Sequence, residues 1–382
     1  MNRRNFLKFG LLGTTSALLC REGAAAAPQK RPAGAFTFPA PVYRTLGRTG
    51  LKITVVSFGA MLTPEPEVIR IALDHGVNYI DTARSYGGGR NEEVVAKAIK
   101  GIRKRVIVAT KIAWRAKTKG DMLQSVETSL RALETDYIDV IQLHGLSSRE
   151  RIYEPEMRES LLTLRKQGKV RFFGVTTHTN EAEVVNALVD DPDRFFDMAL
   201  VKYNFRSGED AKDAIARAAG AGIGIVAMKT QAGGYETDTL GPISPHQAAL
   251  KWALSDRSVT AAIPGMRDLA ELREDIAVMG MRLTLADSLI LRCYGAATAA
   301  SYCHLCGRCE RSCPRGVAIS VVNRSLMYAE AYRSEELARA TYGEIPAQSS
   351  ASACLDCGRC VARCVNGLDI AAKMARARRL LA

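Results

Sequence analysis

The chain has 382 residues, 47% of them hydrophobic and 24% charged, with a formal net charge of +13. That length and apolar content exclude a disordered segment and a small disulfide scaffold, and they suffice for one large domain or two ordinary ones. The positive charge is scattered rather than gathered into a basic motif, which argues against a nucleic-acid partner.

At the N-terminus, Arg3, Arg4 and Lys8 precede an apolar stretch at 9–19, and small residues follow at 24–27. A basic head, a short apolar middle and an Ala-x-Ala site form a secretory signal over residues 1–27. The apolar stretch is too short to span a bilayer. Arg3-Arg4 with Phe6-Leu7-Lys8 resembles the twin-arginine signal. That resemblance implies export of a folded, cofactor-loaded and afterwards soluble protein to the periplasm; a chain whose signal goes unused would stay cytoplasmic. Cys20 is a poor lipid anchor, because Leu18 and Leu19 stand where small residues are needed. Residues 28–42, rich in Pro and Ala, read as a linker.

From residue 43 the pattern alternates. Apolar, strand-like runs are predicted at 54–58, 77–81, 106–111, 137–144, 170–177, 198–204, 223–229 and 260–264. Amphipathic helical stretches lie between them, among them 68–75, 121–133, 157–166, 211–221, 245–254 and 269–278. Buried-type strands alternating with helices predict a closed parallel (β/α)8 TIM barrel over 43–280. The turn at 47–50 predicts a short hairpin capping its bottom.

Chemistry on such a barrel belongs at the C-terminal ends of the strands. There the sequence places Asp81, Tyr86, Lys111 and His144. Each alone has a bland reading, as a helix cap, a solvated strand end or a satisfied buried histidine. Gathered on one rim they form a proton-transfer unit. The ammonium of Lys111 is expected to favour the Tyr86 phenolate and lower its pKa. Asp81 would pair with Lys111, and His144 would orient a carbonyl or a proton. The barrel loops are short and offer no anion clamp. His178 and His304 read as bystanders.

The stretches YRTLGRTGL (43–51), NYIDTARSYGGG (78–89), ATK (109–111), DYIDVIQLHG (136–145), FFGVTT (172–177), KYNF (202–205), ALKWAL (249–254) and IPGMRDLAELREDI (263–276) resemble the aldo-keto reductase family. The resemblance implies a TIM barrel that binds NADP(H) without a Rossmann fold and passes hydride to a carbonyl. Tyr86 would donate the proton, supported by Asp81, Lys111 and His144. It also implies a cofactor site. Thr176 and Thr177 stand where the family has Ser-Asn, and Leu200 where it has Gln. Met228 replaces a stacking aromatic, with Lys229 beside it. Gly265, Arg267 and Arg273, with Glu271, mark the segment that holds the 2′-phosphate.

Residues 281–382 carry two cysteine runs, Cys303, Cys306, Cys309, Cys313 and Cys354, Cys357, Cys360, Cys364. The first reads Cys-x-x-Cys-x-x-Cys-x-x-x-Cys-Pro, a [4Fe-4S] spacing in which the fourth cysteine ligates the other cluster of a pair. Structural zinc, which uses separated Cys-x-x-Cys pairs, fits this poorly. One cluster would take Cys303, Cys306, Cys309 and Cys364, the other Cys354, Cys357, Cys360 and Cys313. With a helix predicted over 317–340, the pair resembles a helical two-cluster ferredoxin module. The whole reads as an α/β barrel with a C-terminal, mainly helical [4Fe-4S] ferredoxin-like domain. The function expected is carbonyl reduction or alcohol oxidation on a small molecule, with the clusters as electron carriers and room for an electron-transfer partner protein. The alternatives are an NADP(H)-dependent reductase with structural clusters, and a non-catalytic electron-transfer or binding protein.

Overall fold

The computed structural model describes residues 36–112, 116–237, 240 and 243–382. The expected signal segment, 1–27, and residues 28–35 of the expected linker lie outside these. Residues 36–42 lack regular structure, yet they are tied to the barrel: the Phe38 ring stacks on His75, 3.7 Å between centroids.

An antiparallel hairpin comes first, β1 (Tyr43–Thr45) against β2 (Lys52–Thr54), with Arg44 opposite Ile53. It plugs the bottom of the barrel. Leu46 is fully buried, Arg48 N–H donates to Gly222 O at 2.7 Å, and Gly47 has a φ of +48°. A Cβ at Gly47 would fall 2.3 Å from Gly224 N, so only glycine permits this approach. Residues 54–58, expected as the first barrel strand, divide instead. Thr54 pairs with Tyr43 in the hairpin, and the barrel strand β3 is Phe58–Gly59.

The remaining strands are β4 (Tyr79–Asp81), β5 (Ile107–Ile112), β6 (Ile138–Leu143), β7 (Val170–Thr177), β8 (Met198–Lys202), β9 (Gly224–Met228) and β10 (Ala261–Ala262). They form an eight-stranded sheet with β3 in sequential parallel order. It closes where Ser57 N–H donates to Ala262 O at 2.9 Å and Gly59 N–H to Pro264 O at 3.0 Å. Alternate strand residues such as Tyr79, Val140, Leu200 and Val226 fill the interior. The opposite faces pack on helices α1 (Pro66–Asp74), α2 (Asn91–Ile99), α3 (Lys119–Ala132), α4 (Pro155–Lys166), α5 (Glu181–Asp190), α6 (Glu209–Gly220), α7 (Pro245–Ser255) and α8 (Leu269–Ile276). This two-sided burial explains why the strands read as continuous apolar runs.

Helix α9 (Leu285–Ala297) leads into the C-terminal domain. Thr284 and Asp287 cap its start reciprocally, and Ile290 and Leu291 bury against Ala248 and Ala249 of α7. Each of those two side chains contributes about 1.5–3 kcal/mol by burial. Helices α10 (Ile319–Glu330), α11 (Glu335–Tyr342) and α12 (Ile370–Leu381) follow, with Val322, Leu326, Tyr342 and Met374 in their common core. The single helix expected over 317–340 is two helices. Arg333 has a φ of +52°, and Ser334 starts α11 by accepting from Leu337 N–H.

This domain sits on the C-terminal face of the barrel. Asn204 donates to the Tyr302 hydroxyl at 3.1 Å, Lys202 to the His304 carbonyl at 2.6 Å, and Arg90 pairs with Glu336 at 2.8 Å. Among the described residues no helix is long and apolar enough to cross a membrane.

Candidate active site

Asp81 ends β4, and Lys111 lies near the end of β5. Lys111 pairs with one carboxylate oxygen of Asp81 and donates to Thr82 O at 2.7 Å. Gln142 on β6 donates to the other Asp81 oxygen at 2.8 Å. Both oxygens of a buried carboxylate are thereby satisfied, which is the condition for keeping such a charge inside. Lys111 Nζ stands 4.8 Å from the centre of the Tyr86 ring.

Tyr86 opens a tight turn, Tyr86–Gly89, in which Gly87, Gly88 and Gly89 all have positive φ. A side chain at Gly89 would meet Arg84 Nη2 at 2.3 Å. Arg84 pairs with the buried Glu92 at 2.6 Å, and Thr110 donates to Glu92 at 2.6 Å. Held by this frame, the Tyr86 ring stands edge-on to His144, 6.1 Å between centroids. His144 lies one residue beyond the end of β6.

The electrostatics reverse one expectation. Burial and the Asp81 carboxylate push Tyr86 well above the usual tyrosine range, so it remains a protonated phenol instead of tending toward phenolate. The Lys111 charge is committed to Asp81, and burial lowers Lys111 itself. Burial, then Lys111 and Arg324, hold His144 well below the usual histidine range. His178 is held down in the same sense by burial, Arg324 and Lys229. The site therefore presents a neutral imidazole and a neutral phenol, a pair suited to polarising and protonating a carbonyl oxygen.

The expected cofactor residues are partly committed elsewhere. Thr177 donates to Thr179 O at 2.7 Å, and Thr176 accepts from Gly145 N–H at 2.7 Å. Arg267 pairs with Glu271 on its own turn, and Arg273 is exposed, 5.8 Å from the Phe36 ring. Met228, Lys229 and Gly265 line a cavity with Tyr86.

Among the described residues, Cys303, Cys306, Cys309, Cys313, Cys354, Cys357, Cys360 and Cys364 carry free thiols. Burial, with Cys309, Cys306 and Cys364 as charged neighbours, pushes Cys303 up to about 12. Burial raises Cys354 as well, where the neighbours are Cys313, Cys357 and Cys360. The thiol charges thus interact across the two runs, Cys364 with Cys303 and Cys309, and Cys313 with Cys354. Leu305 and Gly307 supply left-handed backbone in the first loop, with φ of +57° and +67°. Leu305 N–H donates to Cys303 Sγ and Asn366 N–H to Cys364 Sγ, each at 3.4 Å.

Residues 64–240 match the model of the aldo/keto reductase family, and residues 302–368 that of a 4Fe-4S dicluster domain. These matches support an aldo/keto reductase domain followed by a C-terminal 4Fe-4S dicluster domain. An uncharacterised oxidoreductase of Bacillus subtilis is 36% identical over 149 residues, 35% of this chain and 48% of that relative. L-galactose dehydrogenase of Arabidopsis thaliana is 26% identical over 283 residues, 62% of this chain and 87% of that relative. The chain spans less than half the length of the first curated relatives it matches. Among solved structures, an aldo-keto reductase from Klebsiella pneumoniae in complex with NADPH aligns with a TM-score of 0.57 at 26% identity, covering 66% of this chain and 95% of that one. A holo aldo-keto reductase from Bacillus halodurans aligns with a TM-score of 0.58 at 23% identity, covering 69% and 98%, a likeness of fold.

Within the aldo/keto reductase domain, the space beside Tyr86 measures about 70 Å³. Sites for drug-sized ligands run to roughly 300–1,000 Å³. Tyr328 and Tyr332 of α10 and the turn after it lie over Lys229, with Nζ 4.5 Å and 4.9 Å from their ring centres. Leu200, on β8, has no polar side-chain atom with which to grip an amide. The small space beside Tyr86, Leu200 in place of an amide, and the Tyr328 and Tyr332 rings over Lys229 do not match the nicotinamide site that the family resemblance implies. The cysteines fit iron–sulfur ligation by their donor chemistry and spacing. They are free, half-buried for the most part, and interact by charge between runs.

Two contributors went unread in the sequence. Gln142 is a lone amide inside the apolar run IDVIQL, a signal that could have marked it as a partner of Asp81. Arg324 is a lone charge amid the buried residues of α10, and its helix carries it to the barrel rim. His178, read as a bystander, lines cavities on both sides of the site.

Proposed function

We propose that this chain is an iron–sulfur oxidoreductase that interconverts a small carbonyl compound and its alcohol at Tyr86, exchanging electrons with clusters in its own C-terminal domain. The observation that carries this reading is the seating of the 4Fe-4S domain on the catalytic rim. The first cysteine loop is fastened to the barrel through Lys202 and His304, α11 reaches the end of the Tyr86 turn through Glu336 and Arg90, and α10 roofs the cavity beside His144. A carbonyl becomes an alcohol by taking two electrons and two protons. Two [4Fe-4S] clusters, held by Cys303, Cys306, Cys309, Cys364 and by Cys354, Cys357, Cys360, Cys313, would supply one electron each.

The chain's own groups do the rest. Tyr86, a protonated phenol, gives its proton to the carbonyl oxygen, and the second proton comes from solvent. His144, neutral, donates a hydrogen bond that orients that oxygen. Lys111 and Asp81 fix the position of Tyr86 and of the field around it. We propose no step through nicotinamide. Export along the twin-arginine route is part of the same reading, supported by Arg3, Arg4 and the apolar stretch after them.

Tyr86→Phe tests the proton donor. We expect carbonyl turnover to fall by about a hundredfold to ten-thousandfold, with the visible absorption of the clusters unchanged. Full activity in the variant would remove Tyr86 from the mechanism.

A further inference from the structure

A second cavity, about 360 Å³, lies between the barrel and the C-terminal domain. Its barrel side is formed by Leu143, His144 and Leu146 after β6 and by His178 and Thr179 after β7; its roof is Val321 and Arg324 of α10 with Ile345. Its volume suits a small organic molecule. Among the described residues its lining carries Arg324, Arg151 and Lys117 with one carboxylate, Glu344; Arg151 also pairs with Glu154 at 3.5 Å.

Three polar atoms in its walls, Arg151 Nε, His178 Nδ1 and Arg324 Nε, have no hydrogen-bond partner among the described residues. Arg324 Nε is buried without a hydrogen bond, and its ion pair with Glu344 is long, 3.8 Å. His178 is 8% exposed, and its Nδ1 is buried with no partner. A buried polar atom left unsatisfied is destabilising, a cost that a polar ligand would remove. A guanidinium fork matches a carboxylate through two parallel hydrogen bonds. His144 borders this cavity and stands edge-on to the Tyr86 ring, and His178 lines both this cavity and the space beside Tyr86, so the two spaces adjoin at the histidines.

We propose that this cavity binds a small 2-oxo or 2-hydroxy monocarboxylic acid, with Arg324 of the C-terminal domain as the carboxylate clamp and His178 as a second hydrogen-bonding contact. The clamp comes from the domain that holds the cysteines, so the substrate site is complete only when that domain is seated. The proposal names the substrate class for the carbonyl–alcohol reading and rests on it for the reaction, but binding is measurable on its own.

The test is calorimetric titration of the full, cluster-loaded chain under anaerobic conditions. The probes are 2-oxobutyrate, 2-hydroxybutyrate, the methyl ester of 2-oxobutyrate and inorganic phosphate. We expect both acids to bind, and the ester and phosphate to bind at least about tenfold more weakly, the loss of one charge-assisted contact. Arg324→Gln should weaken the acids by about tenfold or more, and Arg324→Lys should restore part of that by keeping the charge without the fork. Unchanged cluster absorbance shows that each variant is folded, and Arg151→Gln, at the rim, gives a second reading with a smaller loss. Equal binding of acid and ester, equal binding of phosphate, undiminished binding by Arg324→Gln, or no binding of either acid would overturn the proposal. Tyr86→Phe separates it from the reaction. Acids that bind but are not turned over by the wild type would sink the carbonyl–alcohol reading and leave the clamp. Turnover of neutral aldehydes without acid binding would do the reverse.

Discussion

Lys111 is buried, positive and satisfied by Asp81 and Thr82, so its charge acts on Tyr86 only through a committed partner. Removing the other restraint on Asp81 is informative. Gln142→Leu leaves a buried carboxylate oxygen without its donor and is expected to destabilise the chain by about 1–3 kcal/mol, read from chemical denaturation under anaerobic conditions. A second outcome follows from His178. Its folded pKa lies well below 6.5, so below that pH the unfolded chain takes up a proton that the folded chain refuses. Stability is therefore full above about pH 6.5 and falls as the pH drops toward the folded value, with a slope approaching about 1.4 kcal/mol per pH unit for this group. His178→Asn should remove that share of the slope; an unchanged pH dependence would mean that the imidazole is not buried neutral. The four rim residues were legible because family motifs and strand ends coincide. The pKa of Tyr86 was not, because burial by a distant part of the chain outweighs a neighbouring ammonium.

Element by element, the barrel strands were readable wherever both faces are buried, as in β6 and β7. The first strand was misplaced because Thr54 has a hairpin partner, Tyr43, that local apolarity does not reveal. The break between α10 and α11 rests on a positive φ at Arg333, a conformation arginine rarely adopts and composition does not announce. The joint between the two domains depends on α9. Asp287 caps that helix and pairs with Lys251 of α7, both largely buried. Asp287→Ala leaves Lys251 without its carboxylate and is expected to cost roughly 3–5 kcal/mol, with the C-terminal domain released from the barrel before the barrel unfolds. Limited proteolysis checks this: cleavage between residues 280 and 300 should precede loss of barrel structure.

On the scale of the whole molecule, the C-terminal domain covers a barrel face that leaves only a small space beside Tyr86, and in the proposed function it would serve as lid, clamp and electron source. No reading of either domain alone could show this. The cysteine spacing identified the cluster domain and the rim motifs identified the barrel, but their docking rests on contacts such as Lys202 with His304 and Asn204 with Tyr302, which are close only in space. Cys306→Ser is expected to lose about half of the bound iron and sulfide, one of two clusters; unchanged content would refute the ligand set. The most direct measurement of the central claim is an anaerobic reoxidation. The clusters are chemically reduced, excess reductant is removed, and 2-oxo acids and neutral aldehydes are added in turn while the broad visible absorption is followed. We expect the absorption to return with formation of the matching alcohol in the wild type, and neither change in Tyr86→Phe. Clusters that stay reduced in the presence of every carbonyl, or alcohol formed from NADPH while the cluster absorption stands still, would contradict it.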